Sequence, residues 1–272
     1  GPGLARRTLL ALPLLVRRDF GAFRAWSDDE KADFLRRAPV ISVKILKAGV
    51  TNSHRATLRR DGVTHDAHIQ TVDESGFWGA ALNLDRGFSD SYRYNLAAYE
   101  LNQILELNHI PVTVARAYRD NPASYTWWVD RELMTERDRQ AHRIRPPSGT
   151  VWNEQVYVMK VFDQLICNVD RNTGNIVIDA DWKLWMIDHT RSFRVRPTLP
   201  NENDIPRCDR LLLERLRRLD PAAVRTRLSA WLQPPQLDAL MARRDRIVDH
   251  FDRLAVQMGA ERVLYEYLVD KP

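Results

Sequence analysis

The feature that most constrains the fold is a short predicted hairpin with acidic and amide residues at both of its ends. Asp170 and Asn175 precede the first predicted strand at residues 176–178, and Asp188 follows the second strand, at 183–187. Because the strands of a tight hairpin lie side by side, the residues that flank them come together. Carboxylate and amide oxygens are ligands that Mg²⁺ prefers. The pattern therefore predicts a carboxylate and a magnesium site in one place.

An ordinary polar loop and turn is the alternative interpretation of the same residues. Asp188, however, ends an apolar strand that includes Trp185, Met186 and Ile187. A carboxylate at such a position is costly to leave without a partner. An apolar helical pattern also leads directly into the loop of Asp170. Together these observations favour a functional site.

The composition sets broad limits on function. The chain has 272 residues and a formal net charge of +5, enough for one bilobal domain or two small ones. Mild basicity suits a partner that carries phosphate, such as a nucleotide or an anionic surface. Nothing indicates nucleic-acid binding. Cys167 and Cys208 form neither a metal-ligand spacing nor a disulfide framework, which favours a reducing, cytoplasmic location. No apolar run is long enough to span a membrane.

Changes in hydrophobic period divide the chain into a strand-rich part and a helical part. Residues 4–37 predict helices, with a capping box from Ser27 to Glu30. Another helix is predicted at 96–107, and helices run from 207 onward. The predicted strands before residue 130 lie at 40–46, 54–60, 63–72, 112–118 and 125–129. We therefore expect an α+β fold with a cleft between two lobes. The predicted divisions are an N-terminal helical extension at 1–39, an N-lobe at 40–130 and a C-lobe at 131–272.

These motifs resemble the protein-kinase-like superfamily, in its atypical branch. The Asp170–Arg171 pair with Asn175, followed by Ile187 and Asp188, is similar to the loops of phosphatidylinositol 3- and 4-kinases, HipA toxin kinases and secretory-pathway Golgi kinases. The resemblance implies a two-lobed protein-kinase-like fold, with a small β-rich N-lobe, one helix C and a mostly helical C-lobe. It also implies ATP and magnesium as cofactors, and transfer of the γ-phosphate to a hydroxyl of a lipid, protein or small molecule.

The resemblance assigns a role to each residue of the site. Asp170 is the expected catalytic base or hydroxyl-orienting group, and Arg171 is expected to brace the loop. Asn175 and Asp188 are the expected magnesium ligands. Glu100 lies in the segment that resembles helix C, where a glutamate normally pairs with a lysine of the third strand.

The third strand departs from the kinase pattern. It carries Gln70 where the family has its ATP-binding lysine, and an amide supplies no positive charge to phosphates. Lys44 or Lys47, on or just after the first strand, is one substitute. The other is a hydrogen bond from Gln70 to Glu100, with magnesium offsetting the phosphate charge. The loop after the first strand contains Thr51, Asn52 and Ser53. These residues either donate hydrogen bonds to phosphate or form an ordinary turn.

An ATP-dependent phosphotransferase is the leading functional prediction, and three alternatives stay open. Gln70 favours a pseudokinase, a nucleotide-binding module without transfer. A kinase-fold adenylyl transferase keeps the fold and changes the group transferred. A helical adaptor that binds anions has no nucleotide affinity. The acceptor is expected to be selected by loops such as 73–93 and 135–150.

Overall fold

The computed structural model describes residues 25–46, 53–74 and 90–269. The predictions for the helical segment 4–24 and for the candidate ligands Lys47, Thr51 and Asn52 lie outside the described residues. Within these ranges, no helix combines the length and apolar character needed to cross a bilayer.

A five-stranded antiparallel sheet forms the first lobe, with the strand order β1–β2–β3–β5–β4. The positive φ values of Asp61 and Gly62 allow the tight turn between β2 and β3. The strands are β1 (Val40–Ile45), β2 (Ser53–Arg60), β3 (Val63–Gln70), β4 (Thr113–Ala115) and β5 (Ser124–Trp127).

The two faces of this sheet differ in chemistry. Helix α1 (Asp28–Arg37) begins at the predicted capping box and buries Phe34 and Leu35 in a cluster with apolar side chains of β2 and β3. The other face carries the directly paired residues Arg55, His68 and Thr126. Because α1 covers the apolar face, the polar face is left for the cleft.

The second lobe is mainly helical and packs around the apolar side chains of helix α4. Helix α2 (Tyr92–Ile104) precedes β4 and lies between the lobes. The remaining helices are α3 (Glu136–Ala141), α4 (Gly149–Leu165), α5 (Arg210–Arg218), α6 (Pro221–Leu228), α7 (Pro234–Met258) and α8 (Ala260–Val263).

Two smaller sheets complete the second lobe. The predicted hairpin is confirmed as β7 (Ile176–Asp179) and β8 (Leu184–Met186), and β6 (Glu132–Thr135) extends it in the order β6–β7–β8. The short strands β9 (Cys208–Asp209) and β10 (Leu264–Tyr265) pair in parallel.

The α+β class with a small sheet lobe and a helical lobe is confirmed. The segment 135–150, which the sequence analysis treated as a loop, contains the short helix α3. Its sequence lacks an apolar period because the helix is held by polar contacts, including an ion pair between Glu136 and Arg139. The domain boundaries at 39/40 and 130/131 stay predictions.

Candidate active site

A cavity of about 530 Å³ lies between the polar face of the first sheet and the hairpin of the second lobe. This volume is within the range of small-molecule sites, about 300–1,000 Å³. Asp170, Asn175 and Asp188 all line it. The structure therefore brings together the three side chains that the hairpin pattern singled out.

Backbone hydrogen bonds explain why these side chains meet. The loop after α4 forms a short 3₁₀ turn, Thr173–Asn175, whose Asn172 side chain accepts a hydrogen bond from the Gly174 N–H at 2.9 Å. The Ile187 N–H donates to the Asn175 carbonyl at 3.1 Å, which joins the two ends of the hairpin. Asp188 has a positive φ of 54°, a conformation that side-chain-bearing residues adopt rarely. Such positions often occur at functional sites.

Arg171 braces this loop from inside the protein. Its guanidinium makes a two-point contact with Asp163, with both distances 2.9 Å. Its Nη1 donates to the carbonyls of Asn175 and Ile187 at 3.2 and 2.7 Å. Arg171 does not line the cavity. Its contacts therefore connect the loop to the end of the hairpin, as the sequence analysis expected of a bracing residue.

The cavity face of β3 presents His68. Gln70 is fully buried, and its Oε1 accepts a hydrogen bond from the Val72 N–H at 3.1 Å. Glu100 forms an ion pair with Arg227 of α6. The alternative of a hydrogen bond from Gln70 to Glu100 is therefore not formed, because Glu100 is paired with Arg227 and the buried Gln70 Nε2 has no hydrogen-bond partner among the described residues.

The other phosphate-side candidates differ in position. Lys44 lies on the same sheet face as Arg55, its cross-strand partner, but it is exposed and does not line the cavity. Ser53, at the start of β2, does line it. No lysine lines the cavity in the part of the chain that the structure describes.

Burial disfavours the charged form of two histidines near the cavity, His68 and His189. Burial lowers the pKa of His68 below its ordinary 6.5, although Asp188 opposes this effect, and His54 adds to it. Burial, and then Arg171, lower the pKa of His189 well below its ordinary value. Of the described residues that line the cavity, Arg137 and Arg191 supply the positive charge at pH 7.

Helix α2 reaches the site through Asn95, which the sequence analysis missed. Its Nδ2 donates to the Ser124 hydroxyl of β5 at 3.2 Å, and its Oδ1 accepts from the His189 N–H at 2.8 Å. One buried amide thus links the helix to both lobes. No local pattern marks this residue, because its partners lie far away in the chain.

The donor chemistry fits a hard divalent cation. Asn175 and Asp188 offer an amide oxygen and a carboxylate, and oxygen ligands suit Mg²⁺. The described residues contain no group of three or more His, Cys, Asp or Glu side chains arranged for a metal. Magnesium usually keeps waters and phosphate oxygens as further ligands, so a two-residue set fits it when a nucleotide is bound.

By sequence, neither a protein-family model nor a curated protein matches this chain. Its structure is similar to that of hydra Fam20, solved with sugar, with a TM-score of 0.66 and 13% identity over 89% of this chain and 93% of that chain. It is also similar to the Helicobacter pylori proinflammatory kinase CtkA, with a TM-score of 0.52 and 10% identity over 82% of this chain and 98% of that chain. At these identities the likeness concerns the fold alone, and that fold is kinase-like. The branch of the superfamily stays a prediction.

Proposed function

We propose that this chain is a magnesium-dependent phosphotransferase that moves the γ-phosphate of ATP to a hydroxyl group. The observation that carries the proposal is the convergence of Asp170, Asn175 and Asp188 on one cavity of a kinase-like fold. The proposed acceptor is a hydroxyl of a lipid, a protein or a small molecule, and the proposed location is the cytoplasm.

The apolar residues that line the cavity suit the adenine ring. Val129 lies in the segment that joins the lobes, Val177 comes from β7, and Ile187 directly precedes Asp188. A flat apolar base gains free energy when it is buried between such side chains. With the base against these side chains, the phosphates would extend toward Asp188 and Asn175.

The polar residues that line the cavity could carry out the phosphoryl transfer. Asp170 would accept a hydrogen bond from the acceptor hydroxyl and take its proton as that oxygen bonds to the γ-phosphorus. The bond from the γ-phosphorus to the bridging oxygen would break at the same time, and ADP would leave. Asn175 and Asp188 would hold magnesium, which would offset negative charge on the phosphates when bound. Arg137, which lines the cavity, adds positive charge from the protein.

One observation favours a second function, nucleotide binding without transfer. No described lysine lines the cavity, and the pKa of His68 lies below neutrality. The phosphates therefore receive less protein charge than in kinases with a third-strand lysine.

The test combines calorimetry with an assay of ADP release, using ATP and ADP with and without magnesium. Asp170→Asn should retain MgATP affinity and lose turnover by about 100-fold or more, the scale of general-base catalysis. Asp188→Asn should lose the magnesium dependence of binding. The matched control is Asp181→Asn, an exposed carboxylate paired with Arg131 that does not line the cavity.

Each outcome has a distinct meaning. No nucleotide binding by the wild-type chain refutes both functions, and binding without turnover supports the second. Full turnover by Asp170→Asn rejects that residue as the base. Release of pyrophosphate in place of ADP indicates adenylyl transfer.

A further inference from the structure

We infer that Arg191 is a positioning residue for Asp170, and that Asp90, next to helix α2, holds Arg191 in place. The inference rests on the proposed function, because it assigns a role relative to the proposed base. It concerns two residues that the sequence analysis did not identify.

Arg191 lies between two carboxylates of very different exposure. Its Nη1 donates to Asp170 Oδ2 at 3.0 Å, and its Nε donates to Asp90 Oδ1 and Oδ2 at 2.9 and 3.2 Å. The Asp90 side chain is 1% exposed, whereas that of Asp170 is 44% exposed. Arg191 therefore links a buried anchor to a carboxylate that remains accessible from the cavity.

The burial of Asp90 fixes Arg191. A buried carboxylate without a partner is costly, and a charge-assisted hydrogen bond from a guanidinium satisfies it. If Arg191 swung into the cavity, Asp90 would lose that partner. The guanidinium is therefore held at one position beside Asp170.

The contact leaves the proposed base free to act. Arg191 engages Asp170 Oδ2, and no described side chain or backbone group donates a hydrogen bond to Oδ1. One oxygen is thus oriented while the other can face an acceptor hydroxyl.

Helix α2 and Arg191 are connected through the backbone as well. Asp90 precedes Ser91, the N-cap of α2, and the Ser91 N–H donates to the Thr190 carbonyl at 3.0 Å. Thr190 is the residue before Arg191. Movement at the start of α2 therefore shifts Arg191, and through it the orientation of Asp170.

The test uses Asp90→Asn, Arg191→Lys and the double variant, with Arg145→Lys as an exposed control outside the cavity. A lysine carries the charge but cannot bridge two carboxylates as a guanidinium does. Asp90→Asn should lower kcat for ADP release by about 10-fold or more and leave KM for ATP and Kd for MgADP within about twofold. Because Asp90 acts through Arg191, the double variant should be no slower than Arg191→Lys alone.

Hydrogen exchange provides a readout that needs no turnover. The Asn172 N–H donates to the Asp170 carbonyl at 2.9 Å, and the Asp170 N–H donates to the Asn168 side chain at 3.1 Å. Asp90→Asn should speed exchange at both of these amides, and Arg145→Lys should not. Near-native circular dichroism would confirm that the variant is folded.

Three results would overturn the inference. They are normal kcat in Asp90→Asn, additive losses in the double variant, and unchanged exchange at the loop amides. Weaker nucleotide binding by Arg191→Lys with normal kcat would show instead that Arg191 contacts the nucleotide. A wild-type chain that binds no nucleotide refutes the proposed function, and the exchange measurement still decides the positioning role.

Discussion

Removal of Asp163 should destabilise the protein strongly, because it leaves Arg171 buried without its counter-ion. Both side chains are 9% exposed and meet through two hydrogen bonds of 2.9 Å. Asp163 also accepts a hydrogen bond from the Asn168 side chain at 3.1 Å. Breaking a buried ion pair from one side typically costs about 3–5 kcal/mol. We therefore expect Asp163→Ala to lower the free energy of unfolding by about that amount.

A double variant separates the buried charge from the loss of packing. Asp163→Leu with Arg171→Met removes both charges and keeps apolar volume, so it should recover a large part of the loss. The control is Asp252→Ala, which breaks an exposed ion pair with Arg217 and should cost below about 1 kcal/mol.

Urea unfolding followed by tryptophan fluorescence and far-ultraviolet circular dichroism measures these differences. Coincidence of the two signals would establish a single transition and allow the free energies to be compared. If Asp163→Ala lowers the free energy of unfolding by less than about 1 kcal/mol, Asp163 is not needed to stabilise the buried Arg171. The guanidinium would then be satisfied without its carboxylate, and the reasoning would be refuted. Strictly additive effects of the single and double variants would refute it as well.

The remaining predictions concern the pH dependence of stability, a steric contact at Gly174 and the ion pair between Glu100 and Arg227. Burial lowers the pKa of His109 to about 4, so an unfolded chain binds more protons between that value and about 6.5. The free energy of unfolding should fall by roughly 3 kcal/mol as pH drops through this range. In His109→Gln, the urea concentration at the unfolding midpoint should depend less on pH. A Cβ at Gly174 would lie 2.7 Å from Arg137 Nη2. Gly174→Ala should thus displace the Arg137 guanidinium and weaken MgADP binding in calorimetry. Arg137→Ala should weaken binding to a similar extent, and the double variant should bind no more weakly than Arg137→Ala alone. Glu100→Gln should leave kcat and KM within about twofold and cost below about 1 kcal/mol, because its pair is largely exposed.

The sequence predicted the parts of the site that depend on local pattern. The β7–β8 hairpin, and the polar residues at its two ends, follow from two short apolar runs separated by a polar turn. The capping box of α1 has the same local origin. Asp170, Asn175 and Asp188 could be grouped because the chain returns to the same place within one hairpin.

Contacts between distant segments could not be predicted in this way. The alternation of β3 places His68 and Gln70 on one face, but it does not say which of them lies over Asp188. Pairing with β5 decides this, because Gln70 pairs with Ser124, the residue that Asn95 of α2 contacts. Gln70 is therefore covered, and His68 is left facing the cavity.

Kinases commonly join helix C to the third strand through a glutamate and a lysine that holds phosphates. In this chain Glu100 is paired with α6, and β3 has no lysine. Helix α2 instead reaches the site through Asn95, which binds the His189 N–H, and through Asp90, which binds Arg191. These contacts lead to the loop of Asp170 and to the segment after Asp188. Neither contact involves a lysine that could hold phosphates. A displacement of α2 should therefore change turnover more than nucleotide affinity.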